Sequence, residues 1–160
     1  MPIPPLVYVG PSIAAREQIE ALLPGAEVRP PIGRGDLYRD RTLRYSVFVI
    51  LDGVFFQHAA IPPREIIDVV RDGALVVGAS SMGALRAAEC WPAGMLGVGV
   101  IYRMYRANRL RSDDEVVLTF DPDSGRALTL PLINVRYALS KALRAGLLSR
   151  EQVTSLIRVA

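Results

Sequence analysis

The hydrophobic pattern along the chain alternates between short apolar runs and segments where apolar residues recur every three or four positions. The runs predict buried strands, and the periodic segments predict amphipathic helices. The predicted strands cover residues 6–9, 26–29, 46–51, 74–77 and 116–120. The predicted helices cover residues 13–23, 64–72, 81–90, 99–107, 132–143 and 150–159. Strands separated by helices indicate a parallel sheet and therefore an α/β fold.

We predict a single three-layer α/β domain over residues 1–160, with a mainly parallel sheet flanked by helices, as in Rossmann-like folds. The strands near 6–9, 47–51 and 74–77 should be parallel neighbours whose C-terminal ends share one edge. Ser12 is expected to cap the first helix, and residues 30–44, rich in charge, read as a long loop. The last helix has no stop signal, so we expect a natural protein that continues or a trimmed chain.

Composition limits the class of protein. Hydrophobic residues make up 51% of the 160 residues, which favours a packed core over disorder. No apolar run reaches the roughly 18 residues that cross a bilayer, and no signal peptide is recognisable at the N-terminus, so we expect a cytoplasmic protein without a membrane span. The net charge of +3 comes without a basic cluster interleaved with aromatics, which argues against a nucleic-acid partner. One cysteine, Cys90, and one histidine, His58, exclude an internal disulfide and a Cys/His zinc set.

Polar and small residues follow three of the predicted strands. They form the turns Gly10-Pro11-Ser12, Asp52-Gly53 and 78–83. In parallel sheets, ligands bind beyond the C-terminal ends of the strands. We therefore expect these turns to share one crevice.

The turn 78–83 leads from a strand into a helix rich in small residues. Ala79-x-Ser81-x-Gly83 is close to the G-x-S-x-G elbow that exposes a nucleophilic serine, and N–H groups at the helix start could stabilise an oxyanion. The alternative is that Ser80 is an N-cap and Ser81 an ordinary residue of the first turn. We expect Ser81, not Ser80, to carry the reactive hydroxyl, with Ser80 capping the helix.

Motifs for phosphate-containing cofactors do not fit. Gly78 and Gly83 have the Walker A spacing, but Ala84-Leu85 stand where Lys and Ser/Thr are required. Gly97-Val98-Gly99 follows no predicted strand and lacks a third glycine. The sequence thus predicts no cofactor and no metal.

Other charged or titratable residues are candidates for catalysis or binding. His58 and Glu65 could act as general bases, although a loop histidine is commonly solvated and an acidic residue in a first helical turn is favoured by the helix dipole alone. Arg86 and Glu89 lie three positions apart on one side of a helix, where they could form a surface ion pair or line the crevice. The run Asp113-Asp114-Glu115 could bind Mg²⁺ or form a solvated turn.

Residues 78–89, Gly-Ala-Ser-Ser-Met-Gly-Ala-Leu-Arg-Ala-Ala-Glu, resemble the signature of TfuA-like proteins. The resemblance covers about residues 6–145 and includes the segments 10–12, 30–36, 52–55, 64–66, 94–99, 113–116 and 134–136. One departure is Pro63-Arg64-Glu65, where many family members have His-Lys-Glu.

The resemblance implies a partner of a YcaO-domain enzyme in forming a backbone thioamide on a peptide or protein. It also implies that sulfur comes from a ThiS-like, ubiquitin-fold carrier with a C-terminal thiocarboxylate. In the hydrolase hypothesis Ser81 attacks the thiocarboxylate and expels sulfide; the segment 80–84 also echoes the serine segment of Clp-type peptidases. In the alternative hypothesis the protein is a noncatalytic adaptor that positions carrier or peptide.

The expected site follows from these hypotheses. The catalytic candidates are Ser81, His58 and Glu65. The expected substrate-binding residues are Gly10, Ser12, Asp52, Gly53, Ser80, Met82, Gly83, Arg86, Glu89, Asp114 and Arg136.

Overall fold

A computed structural model describes residues 4–13, 16–43, 45–55, 59–121, 124 and 126–160. The chain divides into two compact units, residues 1–111 and residues 112–160. The prediction of one domain over the whole chain stays a prediction, and each unit is described by itself.

The first unit is built on a five-stranded parallel sheet. Its strands are β1 (Leu6–Tyr8), β2 (Glu27–Arg29), β3 (Val47–Ile50), β4 (Leu75–Gly78) and β5 (Leu96–Gly97), in the order β2-β1-β3-β4-β5. Tyr8 lies opposite Ile50, and Ile50 lies opposite Gly78, so the strands β1, β3 and β4 end at one edge. The predicted parallel neighbours are confirmed.

Helices cover the sheet because its side chains alternate between two apolar faces. The helices of this unit are α1 (Arg16–Leu22), α2 (Asp36–Arg41), α3 (Pro63–Arg71), α4 (Met82–Cys90) and α5 (Val100–Arg106). On one face Ile19 of α1 packs with Val7. On the other face, Leu6 and Tyr8 belong to one hydrophobic core with Ile66 of α3. The same core contains Leu37 of α2 and Met82 of α4. The three-layer α/β fold class is confirmed.

The second unit contains a 3-10 turn and two helices. The turn spans Asp113–Glu115, and the helices are α6 (Leu132–Arg144) and α7 (Arg150–Val159), both at predicted positions. A capping box begins α7: Ser149 Oγ accepts from the Gln152 N–H, and the Gln152 side chain accepts from the Ser149 N–H.

Two predicted elements are wrong. The loop predicted at 30–44 contains α2, whose first N–H groups bind a carboxylate on α3. The strand predicted at 116–120 is replaced by an irregular hairpin with a single bridge, Phe120 to Ala127. The Thr119 N–H bonds to the side-chain Oγ1 of Thr129 instead of a backbone carbonyl, which interrupts a regular ladder. The edge strand β5 has no counterpart among the predicted elements, because two residues show no periodicity.

No helix in the described part of the chain is both long and apolar enough to cross a membrane.

Candidate functional site

Asp52 ties the turn after β1 to the turn after β3. Its side chain is buried, with 4% of the residue exposed. Oδ2 accepts hydrogen bonds from the N–H groups of Gly10 (2.7 Å) and Ser12 (3.1 Å), and Oδ1 accepts one from Ser12 Oγ (2.5 Å). Ser12, predicted to cap the first helix, uses its hydroxyl here instead. The carboxylate thus fixes the conformation of residues 10–12.

Ser80 joins the third turn to this pair. Its Oγ donates a hydrogen bond of 2.9 Å to Ser12 Oγ. Three side chains from three strand-end turns, Ser80, Ser12 and Asp52, therefore form one continuous chain of hydrogen bonds. The meeting of these turns follows the rule that parallel strands end at a common edge.

The backbone of the turn 78–83 is held very close to β3. A Cβ on Gly83 would collide with the carbonyl oxygen of Ile50, and a Cβ on Gly78 would collide with the carbonyl oxygen of Gly83. Ser80 adopts a positive φ of 62°, which is uncommon for a residue with a side chain. The chain therefore reverses from strand to helix within very few residues, and the strain falls on Ser80.

Ser81, not Ser80, occupies the N-cap position of α4, so the predicted capping role of Ser80 is wrong. The Ser81 side chain makes no capping hydrogen bond, and only 7% of the residue is exposed. The N–H groups of Ser81 and Gly83 both donate to the Leu51 carbonyl, at 3.2 and 3.3 Å. These two donors anchor the helix start to the end of β3, and the stabilisation of an oxyanion by N–H groups at the helix start stays a prediction.

Met82 and Gly53 lie beneath this edge. Met82 is 1% exposed and belongs to the hydrophobic core. A Cβ on Gly53 would approach Met82 Cγ to 2.6 Å, so the two residues pack directly against each other. Both residues therefore pack in the interior next to the turns, and their predicted role in binding a substrate stays a prediction.

Glu65 is fully buried on α3 and faces the start of α2. Its carboxylate accepts hydrogen bonds from the N–H groups of Gly35 (2.8 Å), Leu37 (2.9 Å) and Tyr38 (3.3 Å). These are the bonds of a helix cap supplied by a distant residue. The geometry supports a structural role for Glu65, and its role as a general base stays a prediction.

Arg86 and Glu89 form the ion pair that their spacing allows. Arg86 Nη1 lies 2.7 Å from Glu89 Oε2, and Arg86 Nε donates to the Ile61 carbonyl at 2.8 Å. The Arg86 side chain is mostly buried, with 14% exposed, whereas Glu89 is 40% exposed. The arginine therefore fastens α4 to the connection between β3 and α3, and its predicted binding of an anion stays a prediction.

The remaining predicted site residues fall elsewhere. His58 lies outside the described residues. In the second unit, Asp114 belongs to the 3-10 turn, and its N–H donates to Ser112 Oγ. Arg136 Nε donates to Glu115 Oε2 at 2.9 Å, forming an ion pair within that unit. Within the described ranges, no cluster of three or more His, Cys, Asp or Glu side chains is arranged to hold a metal ion.

Sequence reasoning missed a third buried carboxylate network, around Asp40. Asp40 on α2 accepts from Tyr8 Oη (2.8 Å) and from the Arg39 guanidinium (2.8 and 3.1 Å). Burial alone raises the pKa of Asp40, but the hydrogen bonds from Arg39 and Tyr8 outweigh it and hold that pKa below its usual value. Burial, together with Asp40, raises the pKa of Tyr8. The helical spacing that turns Asp40 and Leu37 to the core became visible only with α2 itself, because the sequence predicted a loop there.

A family model described as TfuA-like protein matches residues 52–160, well over half of the chain. The matched range contains Asp52 and the turn 78–83, whereas Gly10 and Ser12 precede it. No curated protein matches the chain significantly.

Proposed function

Since the chain belongs to the TfuA-like family, we propose that it assists a YcaO-domain enzyme in forming a backbone thioamide on a peptide or protein. The YcaO enzyme would use ATP to activate the amide oxygen that sulfur replaces. The contribution of this chain would be to release sulfur from a thiocarboxylated, ThiS-like carrier protein.

The observation that carries the sulfur-release role is the hydrogen-bonded chain of Ser80, Ser12 and Asp52. Hydroxyls backed by a buried carboxylate, at the ligand-binding edge of a parallel sheet, are suited to attack a carbonyl carbon. A thiocarboxylate offers such a carbon and a sulfur leaving group. Hydrolysis through a serine ester would free the sulfur next to the YcaO enzyme.

Two adjacent hydroxyls compete for the role of nucleophile. The small residues at positions 79 and 83 flank Ser81 at both second neighbours, as the elbow pattern requires. On that pattern Ser81 is the candidate, and Ser81→Ala should abolish sulfide release while the fold and partner binding persist.

A noncatalytic adaptor is the second candidate function. The observation that favours it is a set of exposed apolar side chains near the edge strand β5: Trp91, Leu96, Val98 and Val100, all about half exposed. Exposed apolar residues close together are typical of protein–protein contacts. In this role the chain would dock on the YcaO enzyme and position carrier or peptide without breaking a bond.

The test combines two measurements with the cognate YcaO enzyme, its peptide and a thiocarboxylated carrier. Size-exclusion chromatography reports the complex, and a colorimetric sulfide assay reports sulfur release in the presence and absence of this chain. A sulfur-releasing enzyme produces sulfide only when the chain is present. An adaptor raises thioamide yield, detected by mass spectrometry, even when inorganic sulfide replaces the carrier. Failure to form a complex and to affect thioamide yield would reject both functions.

A further inference from the structure

One face of the sheet carries only aliphatic side chains across the strands β1, β3, β4 and β5. Residues that lie opposite each other in a parallel sheet point to the same face. Val7 lies opposite Val49, Val49 opposite Val77, and Val77 opposite Leu96. We call this surface the aliphatic face, and its members are Val7, Val47, Val49, Leu75, Val77 and Leu96.

The aliphatic face is covered at one end only. Ile19 of α1 packs with Val7 and forms the core on that side. The helices α3 and α4, together with Tyr102 of α5, pack on the opposite face. On β4 and β5, Leu75 is 43% exposed and Leu96 is 52% exposed. Parallel sheets are usually covered on both faces, so the β4–β5 half lacks this second layer in the described part of the chain.

Helix α1 presents an apolar ridge beside this open β4–β5 half. The ridge consists of Leu22, the last residue of α1, and Leu23, whose N–H still bonds to the Ile19 carbonyl. Both leucines lie three or four positions after the buried Ile19, so they flank the side of α1 that packs on the sheet. Leu22 is nevertheless 78% exposed and Leu23 is 40% exposed. The surface thus combines a raised helix at one end with an open sheet at the other.

Two copies of such a surface are complementary to each other. A two-fold axis parallel to the strands places the ridge of one copy over the open β4–β5 half of the second copy, and the same contact then occurs twice. Each open half receives a helix, which is the layer that covers parallel sheets in other proteins.

The exposed apolar area is large enough to form most of a dimer interface. Five side chains of the ridge and the open half expose on the order of 500 Å² per copy, against roughly 800 Å² per partner in a stable interface. They are Leu22, Leu23, Leu75, Leu96 and Val98, which is the next alternate position after Leu96. The partly exposed Val47, Val49 and Val77 add to this area.

From these observations we infer that the aliphatic face is a homodimer interface in which α1 of each copy covers the β4–β5 half of the other. The inference is independent of the proposed sulfur release, because the interface lies on a face of the sheet and Ser80, Ser12 and Asp52 lie at its edge. It assigns Leu96 and Val98 to a second copy of the chain, whereas the adaptor function would assign them to the YcaO enzyme.

The first experiment measures association by sedimentation velocity over a dilution series. At micromolar concentration we expect twice the 17.5 kDa mass of the chain. Leu22→Glu puts a carboxylate on the ridge, and Leu96→Glu puts one on the open half. Each should raise the dimer Kd by more than about 100-fold, because the interface would bury an unpaired charge. Circular dichroism and thermal unfolding check that both variants are folded.

Leu147→Glu is the matched control. Leu147 lies in the second unit and is 76% exposed, close to the exposure of Leu22, but it is not part of the aliphatic face. We expect its dimer Kd to equal that of the wild type.

The second experiment tests the direction of the two-fold axis. Leu22 precedes the start of β2 and Leu75 begins β4, so both lie where the strands begin. A Leu22→Cys chain is mixed with an isotopically heavy Leu75→Cys chain, left to exchange, and treated with a short bis-maleimide. We expect a heavy–light adduct by mass spectrometry and no adduct from either variant alone. The native Cys90 is buried and does not compete.

A wild-type chain that sediments as a monomer at micromolar concentration overturns the inference. A dimer that persists in both Leu22→Glu and Leu96→Glu also overturns it, and so does a cross-link between two Leu22→Cys chains without the heavy–light adduct. A monomeric chain whose Leu96→Glu variant loses its complex with the YcaO enzyme overturns it in favour of the adaptor. None of these results bears on sulfide release, which is assayed separately.

Discussion

Asp52 and Glu65 are two buried carboxylates in the same unit, and each accepts three hydrogen bonds. The partners of Glu65 are all backbone N–H groups at the start of α2. Asp52 also binds two backbone N–H groups, but its third partner is the Ser12 hydroxyl, which leads on to the exposed Oγ of Ser80. One network ends inside the fold, and the other ends at the protein surface. The number of bonds to a carboxylate therefore says less about its role than where those bonds lead.

The largest effect is expected from Gly83→Ala in the Asp52 region. The new Cβ would collide with the Ile50 backbone oxygen, which cannot move without disturbing the sheet. We expect a loss of about 3 kcal/mol or more of unfolding free energy. Gly33→Ala near α2 is the matched control, because its nearest contact, the Ala59 oxygen at 3.3 Å, requires only a small shift. Denaturant unfolding checks both, and equal losses would contradict the difference in packing.

Glu65→Gln tests the structural side of the comparison. The amide keeps the shape of the side chain but presents NH₂ to backbone donors that need an acceptor. We expect a loss of about 1–3 kcal/mol of unfolding free energy, the cost of unsatisfied buried hydrogen-bonding groups. Sulfide release should fall only in proportion to the folded fraction. A much larger fall would show that Glu65 is the general base that the sequence suggested.

Asp40 extends the comparison to a carboxylate held by charged partners. Because its pKa in the folded protein lies below the ordinary value of 3.8, its contribution to stability is present above that value. The contribution is lost as the pH falls through the lowered pKa. Thermal unfolding between neutral and acid pH should show this loss, and Asp40→Asn should show a shallower decline. Identical pH profiles for the two proteins would exclude the contribution.

The smallest effect concerns Cys90, whose thiol is buried and stays protonated near neutral pH. Burial raises the pKa of Cys90 to about 11, so at pH 8 only about a thousandth of the thiol is ionised. We expect no alkylation by iodoacetamide in the folded protein and complete alkylation in urea, measured by mass spectrometry. Rapid alkylation of the folded chain would contradict the burial of this thiol.

The sequence predicted the elements whose causes are local. The strands β1, β3 and β4 are continuous apolar runs, and α3 begins at Pro63 and ends before Gly73, as its proline and glycine predict. Helix α2 was missed because its cap, Glu65, lies thirty positions from Gly35 in sequence, beyond the reach of any local pattern.

The sequence also predicted which turns form the candidate site, but not every contact between their side chains. The rule for parallel sheets indicated which turns would meet, and Ser12, Asp52 and Ser80 do meet. Which of the two adjacent serines would join this hydrogen-bonded chain was beyond it, because that depends on the backbone angle at Ser80 and on one contact between side chains.

The positive φ of Ser80 costs stability, whereas its side chain completes the hydrogen-bonded chain to Asp52. Glycine adopts this conformation freely, and relief of such strain typically gains about 1 kcal/mol. A laboratory selection that rewards only heat resistance should therefore recover Ser80→Gly among its early winners, with a higher melting temperature and without the hydroxyl that bonds to Ser12. If serine persists at this position, a second selective pressure must favour it. Screening one library under heat, with and without a requirement for thioamide formation, would reveal that pressure as a difference in the codon recovered for this residue.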